Sequence, residues 1–206
     1  AGISVGEDGA THQCNEDIAL MRTIPGMTIV VPADDIEARE AVRAAYETDG
    51  PFYLRFGRLA VPVINDRPDY HFELGKGSVV REGTDLALIA CGLEVGEALQ
   101  AAARLEEDGI SARVINMHTI KPLDRDLLIR SAADCGRVVT VEEHSIIGGL
   151  GSAVAETLAE AYPARLLRIG IRDRFGESGP AAELLHKYQL DAEGIYRQIR
   201  AWVSEL

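Results

Sequence analysis

The amino-acid sequence predicts an α/β protein in which an incomplete parallel α/β domain precedes a doubly wound α/β domain. Short apolar runs of strand length alternate with amphipathic segments of helical period along the chain, and glycine or proline stands at most junctions. A polar stretch at residues 62–69, which contains two prolines, interrupts this alternation. Because domain boundaries fall in such stretches, we predict one domain over residues 1–66 and a second over residues 67–206.

The first domain is predicted to be only part of a parallel sheet, since it contains two segments with clear strand character. A helix separates these two strands, which favours parallel α/β packing. An aspartate stands where that helix begins, and aspartate is a preferred N-cap residue. The predicted elements, in order, are a polar loop at 6–13, a helix ended by Pro25 and Gly26, a strand at 28–31, a helix from Asp34 or Asp35 to Thr48, and a strand at 52–56.

The second domain alternates strands and helices more regularly. Parallel strands joined by helices need right-handed crossovers, which place helices on both faces of the sheet. An extended segment at 72–80 leads into this domain, and two short helices from Pro180 close it, with Ser178 as the predicted cap of the first. The remaining predicted elements are strands at 86–90, 112–116, 138–141 and 166–169, and helices at 95–105, 124–135 and 152–162.

The composition argues against several classes of function. The chain carries 33 acidic and 21 basic residues, a net charge of −12, whereas nucleic-acid and anionic-membrane surfaces need clustered Lys and Arg. The three cysteines, Cys14, Cys91 and Cys135, form no Cys-x-x-Cys pair, which argues against a structural zinc site and suits a reducing cytoplasm. No apolar run approaches the about 20 residues of a membrane helix. We therefore predict a cytoplasmic protein that holds no metal through these residues.

The opening loop contains the first candidate site, formed by Asp8, His12 and Gln13 among glycines. Carboxylate, imidazole and amide groups on a flexible backbone can bind several sugar hydroxyls at once, and a histidine can move a proton near neutral pH. From spacing alone, the simpler interpretation is a turn in which Asp8 caps the backbone and His12 is exposed.

Arg55 and Arg58 form the second candidate site at the end of the predicted strand 52–56. Ligands of open α/β sheets bind at the carboxyl ends of strands, and an arginine there can hold a phosphate with two hydrogen bonds. A surface ion pair is an equally good interpretation in a chain with surplus acid.

A glycine-rich segment at 142–152 is a weaker candidate. It could cradle an anion where a strand meets a helix N-terminus. Glu142 and Glu143 would repel a phosphate there, so the pattern favours close helix–sheet packing or a subunit contact. His118 and His186 stand alone in the sequence and are interpreted as ordinary structural residues.

Three motifs, read in order, resemble the transketolase family. Residues 6–13, GEDGATHQ, resemble the family's GEDGPTHQ loop with Ala10 in place of proline. Residues 54–58, LRFGR, resemble a strand that ends in a phosphate-binding arginine, and residues 175–181, FGESGPA, resemble the FGESAPA segment of the C-terminal domain. The match runs in register over the whole chain. The length resembles that of the C-terminal subunit of a transketolase encoded as two subunits.

The resemblance implies a thiamine-diphosphate-dependent transferase of the pentose phosphate pathway, which moves a two-carbon ketol unit between sugar phosphates. His12 would be the catalytic residue that contacts the sugar near the reacting carbon, and Asp8 would bind a donor hydroxyl. Arg58 would bind the substrate phosphate, with Arg55 as the weaker candidate. The cofactor would carry the carbanion chemistry while protein groups orient the sugar.

The resemblance also implies that much of the site lies outside this chain. The residues that bind thiamine diphosphate and its Mg²⁺ or Ca²⁺ are expected upstream of Ala1, or in an N-terminal diphosphate-binding domain or subunit, usually across a homodimer interface. We therefore expect neither cofactor binding nor turnover from these 206 residues alone.

Three alternatives stay open at this point. The segment 141–151 resembles 1-deoxyxylulose-5-phosphate synthases and the β subunits of 2-oxo-acid dehydrogenases as much as transketolases, although the first and last motifs favour transketolase. The chain could instead be a non-catalytic dimerisation or assembly module in which His144 and Arg174 serve the dimer. The third alternative is an α/β protein that binds a small anion without catalysis.

Overall fold

A computed structural model describes residues 1–204 of the chain, which form two β-sheets flanked by helices. None of the helices within that range is long and apolar enough to cross a membrane. The strands are β1 (Thr28–Val30), β2 (Phe52–Leu54), β3 (Ser78–Arg81), β4 (Leu86–Ala90), β5 (Ala112–Asn116), β6 (Thr119–Lys121), β7 (Arg137–Ser145) and β8 (Arg165–Ile171). After 3₁₀ turns at Ile3–Asp8, the helices are α1 (Ala10–Gln13), α2 (Asp17–Arg22), α3 (Asp35–Glu47), α4 (Glu94–Glu107), α5 (Arg125–Cys135), α6 (Leu150–Ala161), α7 (Ala181–Lys187) and α8 (Ala192–Ser204).

The larger sheet has helices on both faces. Its strand order is β3-β5-β4-β7-β8, and β5, β4, β7 and β8 run parallel. Alternate residues of a strand point to opposite faces. Leu86 and Leu88 of β4 therefore pack with α4 and α8, whereas Ala87 and Ile89 pack with α5 and α6. This arrangement confirms the doubly wound fold predicted for the second domain.

The edge strand β3 lies at the end of the extended segment predicted at 72–80, and its direction was not predicted. It pairs antiparallel with β5. A parallel connection needs a crossover of about a dozen or more residues, and only residues 82–85 separate β3 from the next strand, β4. The strand therefore joins the sheet without a crossover helix.

The smaller sheet joins the two predicted domains. β1 pairs parallel with β2, as predicted, but its other edge pairs antiparallel with β6, which comes from the predicted second domain. The sequence analysis missed β6 because a three-residue strand followed by Pro122 carries almost no periodic signal. The division after residue 66 stays a prediction, and β6 shows that the two parts share a sheet.

Aspartate side chains cap two helices, and the cap of α3 was predicted. Asp34 accepts a hydrogen bond from the Glu37 amide at 2.9 Å at the start of α3, and Asp124 accepts one from the Leu127 amide at 3.0 Å at the start of α5. These bonds satisfy amides that have no partner within the helix. They also select Asp34 from the two candidate caps of α3.

Two local predictions were wrong, one in the opening segment and one in the segment it packs against. Residues 6–13 are not a loop, because they form the end of the 3₁₀ turns and the one-turn helix α1. Ser178 does not cap α7, which begins at Ala181 with Pro180 at the cap position and no side-chain bond. The Ser178 hydroxyl instead lies against Gly9, where any side chain would overlap it. Packing between the two segments overrides the local turn and capping signals.

Candidate functional site

The structure brings together Asp8 and Arg58, which lie in separate segments of the sequence. Their side chains form an ion pair. Both are about half exposed, at 45% for Asp8 and 57% for Arg58, so a ligand in solvent can reach them. Asp8 ends the 3₁₀ turns, and Arg58 lies beyond the carboxyl end of β2, the side of an open α/β sheet where ligands bind.

His12 lies on the exposed side of α1, close to Asp8 along the chain. Its Nδ1 is 2.9 Å from the hydroxyl of Thr11. The nearby cavity of about 480 Å³ is lined by Phe56, other mostly apolar residues and Asp34 and Asp35, and not by His12, Asp8 or Arg58. A shared hollow for these three predicted groups therefore stays a prediction.

Arg55 is placed very differently from Arg58, although only two residues separate them. Its side chain is buried, and its Nε donates to Asp17 Oδ2 at 2.9 Å. One terminal nitrogen donates to the carbonyls of Cys14 at 3.3 Å and Glu143 at 3.2 Å. The guanidinium thus braces the opening residues against the larger sheet. A contact between Arg55 and a substrate phosphate stays a prediction, and the burial of the side chain argues against it.

Asp17 is the centre of a buried polar cluster that the sequence analysis did not identify. Tyr53 donates its hydroxyl to Asp17 Oδ2 at 2.7 Å, and Nε2 of His144 lies 3.7 Å from Oδ1. His144 accepts the amide of Ala19 at 3.4 Å, and its Nδ1 lies 2.7 Å from the carbonyl of Ser145. Burial lowers the pKa of His144 to about 4, so the ring is neutral. Because Nε2 accepts an amide and Nδ1 lies against a carbonyl oxygen, the proton of the neutral ring sits on Nδ1. The members come from separate segments, so no spacing in the sequence reveals them.

The glycine-rich segment is packed, as the sequence analysis favoured, and its helix terminus is occupied. The Glu142 carboxylate accepts the amides of Leu150 at 2.7 Å and Gly151 at 2.8 Å. It takes the place that an anionic ligand would occupy at the N-terminus of α6. Burial raises the pKa of Glu142 to about 7, and the two amides oppose that rise. A side chain at Gly149 would overlap Glu142, so packing requires this glycine.

Two further buried carboxyl groups lie near the opening segment. Glu143 Oε2 accepts the amide of Ser4 at 3.0 Å. Glu94, the first residue of α4, is fully buried, and neither carboxyl oxygen has a hydrogen-bond partner among the described residues. Burial, and then the charge of Glu143, raises the pKa of Glu94 well above its ordinary value. The fold therefore keeps the proton on Glu94 to a higher pH than the unfolded chain does.

The first and last sequence motifs lie against each other. Nε2 of the buried Gln13 donates to the carbonyl of Glu177 at 2.8 Å. A Cβ at Gly176 would overlap the Gln13 amide, and a Cβ at Gly6 would come within 3.2 Å of the Gly179 carbonyl. The sequence identifies both motifs, but only the fold shows that they touch.

The isolated histidines have structural partners. His118 is buried and stacks on Phe72 with ring centroids 4.6 Å apart, and burial lowers its pKa to about 4. The ring of His186 pairs with Asp191, with Nδ1 2.8 Å from the carboxylate. Both placements agree with the interpretation of these two residues as structural.

The assembly alternative relied on His144 and Arg174, and the structure separates them. His144 is fully buried within this chain, so it cannot contact another subunit directly, and its role in a dimer stays a prediction. Arg174 is exposed, and its guanidinium lies 4.1 Å from the centre of the Tyr188 ring. Of the two residues, only Arg174 lies where another subunit could contact it.

The exposed groups of the site suit a hydroxylated, anionic ligand. A carboxylate such as Asp8 accepts bonds from hydroxyls, and a guanidinium such as Arg58 can hold a phosphate with two bonds. An imidazole such as His12 can accept or donate a proton. Within residues 1–204, no group of three or more His, Cys, Asp or Glu side chains is arranged to hold a metal ion. The three exposed groups therefore match a ligand that carries hydroxyls and negative charge, and the described residues contain no cluster suited to a metal ion.

Comparison with protein families gives two matches that cover most of the chain. The model of the transketolase pyrimidine binding domain matches residues 1–63. The model of the transketolase C-terminal domain matches residues 75–195. The two matches lie on either side of the predicted domain boundary.

Individual relatives match nearly the whole chain. A Methanocaldococcus jannaschii protein named for the C-terminal section of transketolase is 49% identical over 97% of this chain, which covers 63% of that relative. A 6-deoxy-6-sulfo-D-fructose transketolase subunit of Clostridium sp. (strain MSTE9) is 46% identical over 95% of this chain, which covers 61% of it. A split-gene transketolase solved as an inactive β4 tetramer superposes with a TM-score of 0.89 at 49% identity, over 95% of this chain and 64% of that one. The chain thus spans less than two thirds of the length of these relatives.

A different enzyme class is also similar. A 1-deoxy-D-xylulose-5-phosphate synthase of Geobacter sulfurreducens is 40% identical over 98% of this chain, which covers 32% of it. Similarity over shared domains shows a family and not a substrate. On the two domain matches and these relatives, the chain belongs to the transketolase family and carries sequence of its pyrimidine-binding and C-terminal domains.

Proposed function

We propose that this chain is the C-terminal part of a thiamine-diphosphate-dependent transketolase that transfers a two-carbon ketol unit between sugar phosphates. The observation that carries the proposal is the exposed Asp8–Arg58 pair, in which Asp8 belongs to the segment that also presents His12. The match to the pyrimidine binding domain and the similarity to named transketolase subunits support the reaction class.

Arg58 would exchange its partner when the substrate binds. An exposed Asp–Arg pair contributes about 0–1 kcal/mol, so it is readily broken. A phosphate can take two charge-assisted hydrogen bonds from the guanidinium and so competes with Asp8. Once released, the Asp8 carboxylate is free to accept a bond from a donor hydroxyl. The ion pair would keep both side chains ordered until the substrate binds, when Arg58 pairs with the phosphate and Asp8 with a hydroxyl.

His12 would contact the sugar near the reacting carbon and move a proton to or from the oxygen on that carbon. The chemistry that thiamine diphosphate supplies when bound is the carbanion that attacks the ketose. We assign the binding of this cofactor, with Mg²⁺ or Ca²⁺, to an N-terminal domain or subunit, since the described residues hold no group suited to a metal.

We further propose that activity requires that partner. The chain spans less than two thirds of the length of its relatives, and the split-gene relative was solved as an inactive tetramer of one subunit. A diphosphate-binding subunit, assembled in a homodimer of such pairs, would complete the site around Asp8, His12 and Arg58.

Reconstitution tests the proposal. The full-length form of this chain, mixed with the N-terminal subunit, thiamine diphosphate and Mg²⁺, should move two-carbon units from a ketose phosphate to an aldose phosphate. Arg58→Ala should raise KM for the phosphorylated substrates about 10- to 100-fold, because a hydrogen bond to a charged group contributes about 1.5–3 kcal/mol. Arg39→Ala is the matched control, since Arg39 forms another exposed pair, with Asp35.

Three outcomes would count against the proposal or a part of it. A reconstituted wild-type enzyme that transfers no two-carbon unit between sugar phosphates would remove it. If that enzyme instead shows synthase activity, the chain is part of a 1-deoxyxylulose-5-phosphate synthase. Equal effects of Arg58→Ala and Arg39→Ala on KM would contradict only the proposed binding of the substrate phosphate by Arg58.

A further inference from the structure

One buried amide, that of Gln13, contacts several parts of the segment that carries His12. Gln13 follows His12 in α1, and its side chain is fully buried. Nε2 donates to the Glu177 carbonyl at 2.8 Å and lies 3.4 Å from the carbonyls of Ile3 and Gly6. One side chain thereby links the start and the end of the opening segment to the second domain.

We propose that Gln13 is a positioning residue through which the second domain sets the orientation of His12. The proposal rests on the proposed function of His12. The helix α1 is a single turn, Ala10–Gln13, and a turn of that length has little stability by itself. Successive helical residues point about 100° apart, so the buried Gln13 and the exposed His12 face different sides of the same turn. The place where the amide is held therefore determines the direction of the imidazole.

Glycine contacts between the two segments support this coupling. The Gln13 amide fills the space that a side chain at Gly176 would need. The Ser178 hydroxyl occupies the corresponding space beside Gly9, which has a φ of +75° that favours glycine. The opening segment and the segment at 176–179 are thus closely packed at these glycines, so a shift of one would require a shift of the other.

The first test replaces Gln13 with methionine, which keeps the volume and removes the donor. In the reconstituted enzyme, Gln13→Met should lower kcat/KM about 10- to 100-fold, because a misplacement of about 1 Å near a reacting group can cost about 10²-fold. Most of the loss should appear in kcat, since Arg58 and its contact to the substrate phosphate are unchanged. Hydrogen exchange of the amides in residues 3–13 of the full-length protein should become about 10-fold faster or more, because the segment opens more often.

A second glutamine in the chain provides the matched control. The Gln198 amide also donates to backbone carbonyls, those of Gln189 at 2.9 Å and Gly194 at 3.3 Å, within the second domain. Gln198→Met removes the same kind of bonds at a different place. It should leave both kcat and the exchange of residues 3–13 at their wild-type values.

The second test moves the amide without changing Gln13. Gly176→Ala places a Cβ where the Gln13 amide lies, so it should reproduce the fall in kcat and the faster exchange. Gly96→Ala is the control, because a Cβ there meets only Pro62, at 4.0 Å. This variant keeps the proposal testable if Gln13→Met does not fold.

The two readouts separate this proposal from the proposed function. Unchanged kcat in both variants of an active enzyme would overturn the positioning role, whether or not exchange becomes faster. Unchanged exchange in both variants would overturn the claim that Gln13 holds the segment. An inactive wild-type enzyme would overturn the proposed function instead, while the exchange measurement would still test the hold on the segment.

Discussion

Arg55 and Arg58 belong to one five-residue motif, yet the fold gives them different surroundings. Arg55 is 4% exposed and donates to Asp17 and to two backbone carbonyls. The side chain of Arg58 is 57% exposed and pairs with Asp8. Because the residue type is the same, burial and the number of partners decide what each can do. The buried arginine joins parts of the structure, and the exposed one is available to a ligand.

The difference follows from where the strand ends. The amide of Arg55 still donates to the Val30 carbonyl at 2.9 Å, so its backbone continues the edge of the smaller sheet and its side chain enters the junction with the larger one. Three residues later, at Arg58, the chain has left the sheet. Position relative to the strand end therefore separates a structural arginine from a candidate substrate ligand.

The largest expected effect is the loss of the buried pair. Arg55→Met should lower the free energy of unfolding by about 3–5 kcal/mol, because it leaves the Asp17 carboxylate buried without its cation. Urea denaturation measures this change. Adding Asp17→Asn should recover part of the loss by removing the unpaired charge. The comparison fails if Arg55→Met is no more destabilising than Arg58→Met.

The second-largest expected effect is on the pH dependence of stability, and it comes from His144, the neutral histidine of the same cluster. The pKa of His144 is about 4 in the fold, against about 6.5 in the unfolded chain. As the pH falls below 6.5, the unfolded chain binds a proton that the folded chain excludes, so stability is lost between pH 6.5 and 4. His144→Gln should reduce this loss by about 2–3 kcal/mol. The matched control is the same replacement at the exposed His71, and an equal effect of the two variants would contradict the assignment to the buried ring.

Glu94 is a buried acidic group, in contrast to the buried basic group of His144, and its carboxyl has no hydrogen-bond partner among residues 1–204. Its pKa is raised in the fold, so stability falls as the pH rises above the ordinary carboxyl pKa, where the unfolded chain loses the proton. Glu94→Gln cannot ionise and should raise the free energy of unfolding at pH 7, and by less at pH 5. Glu142→Gln should destabilise instead, since the Glu142 carboxylate accepts two helix amides. Thermal unfolding at pH 7 and pH 5 measures both effects. A change of stability in the same direction for the two variants would contradict this contrast.

The larger sheet could be predicted closely because its signals are local. The runs that predict β4 and β5 match the observed strands at both ends, since each is a short apolar segment between helices of regular period. β6 could not be predicted, because its partner β1 lies about ninety residues earlier and the pairing Ile29 to Lys121 leaves no local trace. The antiparallel direction of β3 is likewise a property of the assembled sheet.

The candidate site divides in the same way. Asp8, His12 and Arg58 were identified from residue type and motif, and the fold adds that Asp8 pairs with Arg58. The cluster around Asp17 was missed because its members meet only after the two sheets are in place. Local chemistry thus reveals groups that face solvent, whereas buried groups are defined by distant neighbours.

The smallest expected effect belongs to the Asp8–Arg58 pair. A double-mutant cycle with Asp8→Asn and Arg58→Met should give a coupling free energy below about 1 kcal/mol, and it should shrink in 1 M salt, where the Debye length is about 3 Å. The exposed Asp35–Arg39 pair, one helical turn apart in α3, is the benchmark at about 0.3–0.5 kcal/mol. A coupling of about 3 kcal/mol that does not respond to salt would contradict the comparison. Asp8 and Arg58 would then be a structural pair like Asp17 and Arg55, and a substrate phosphate could not separate them at low cost.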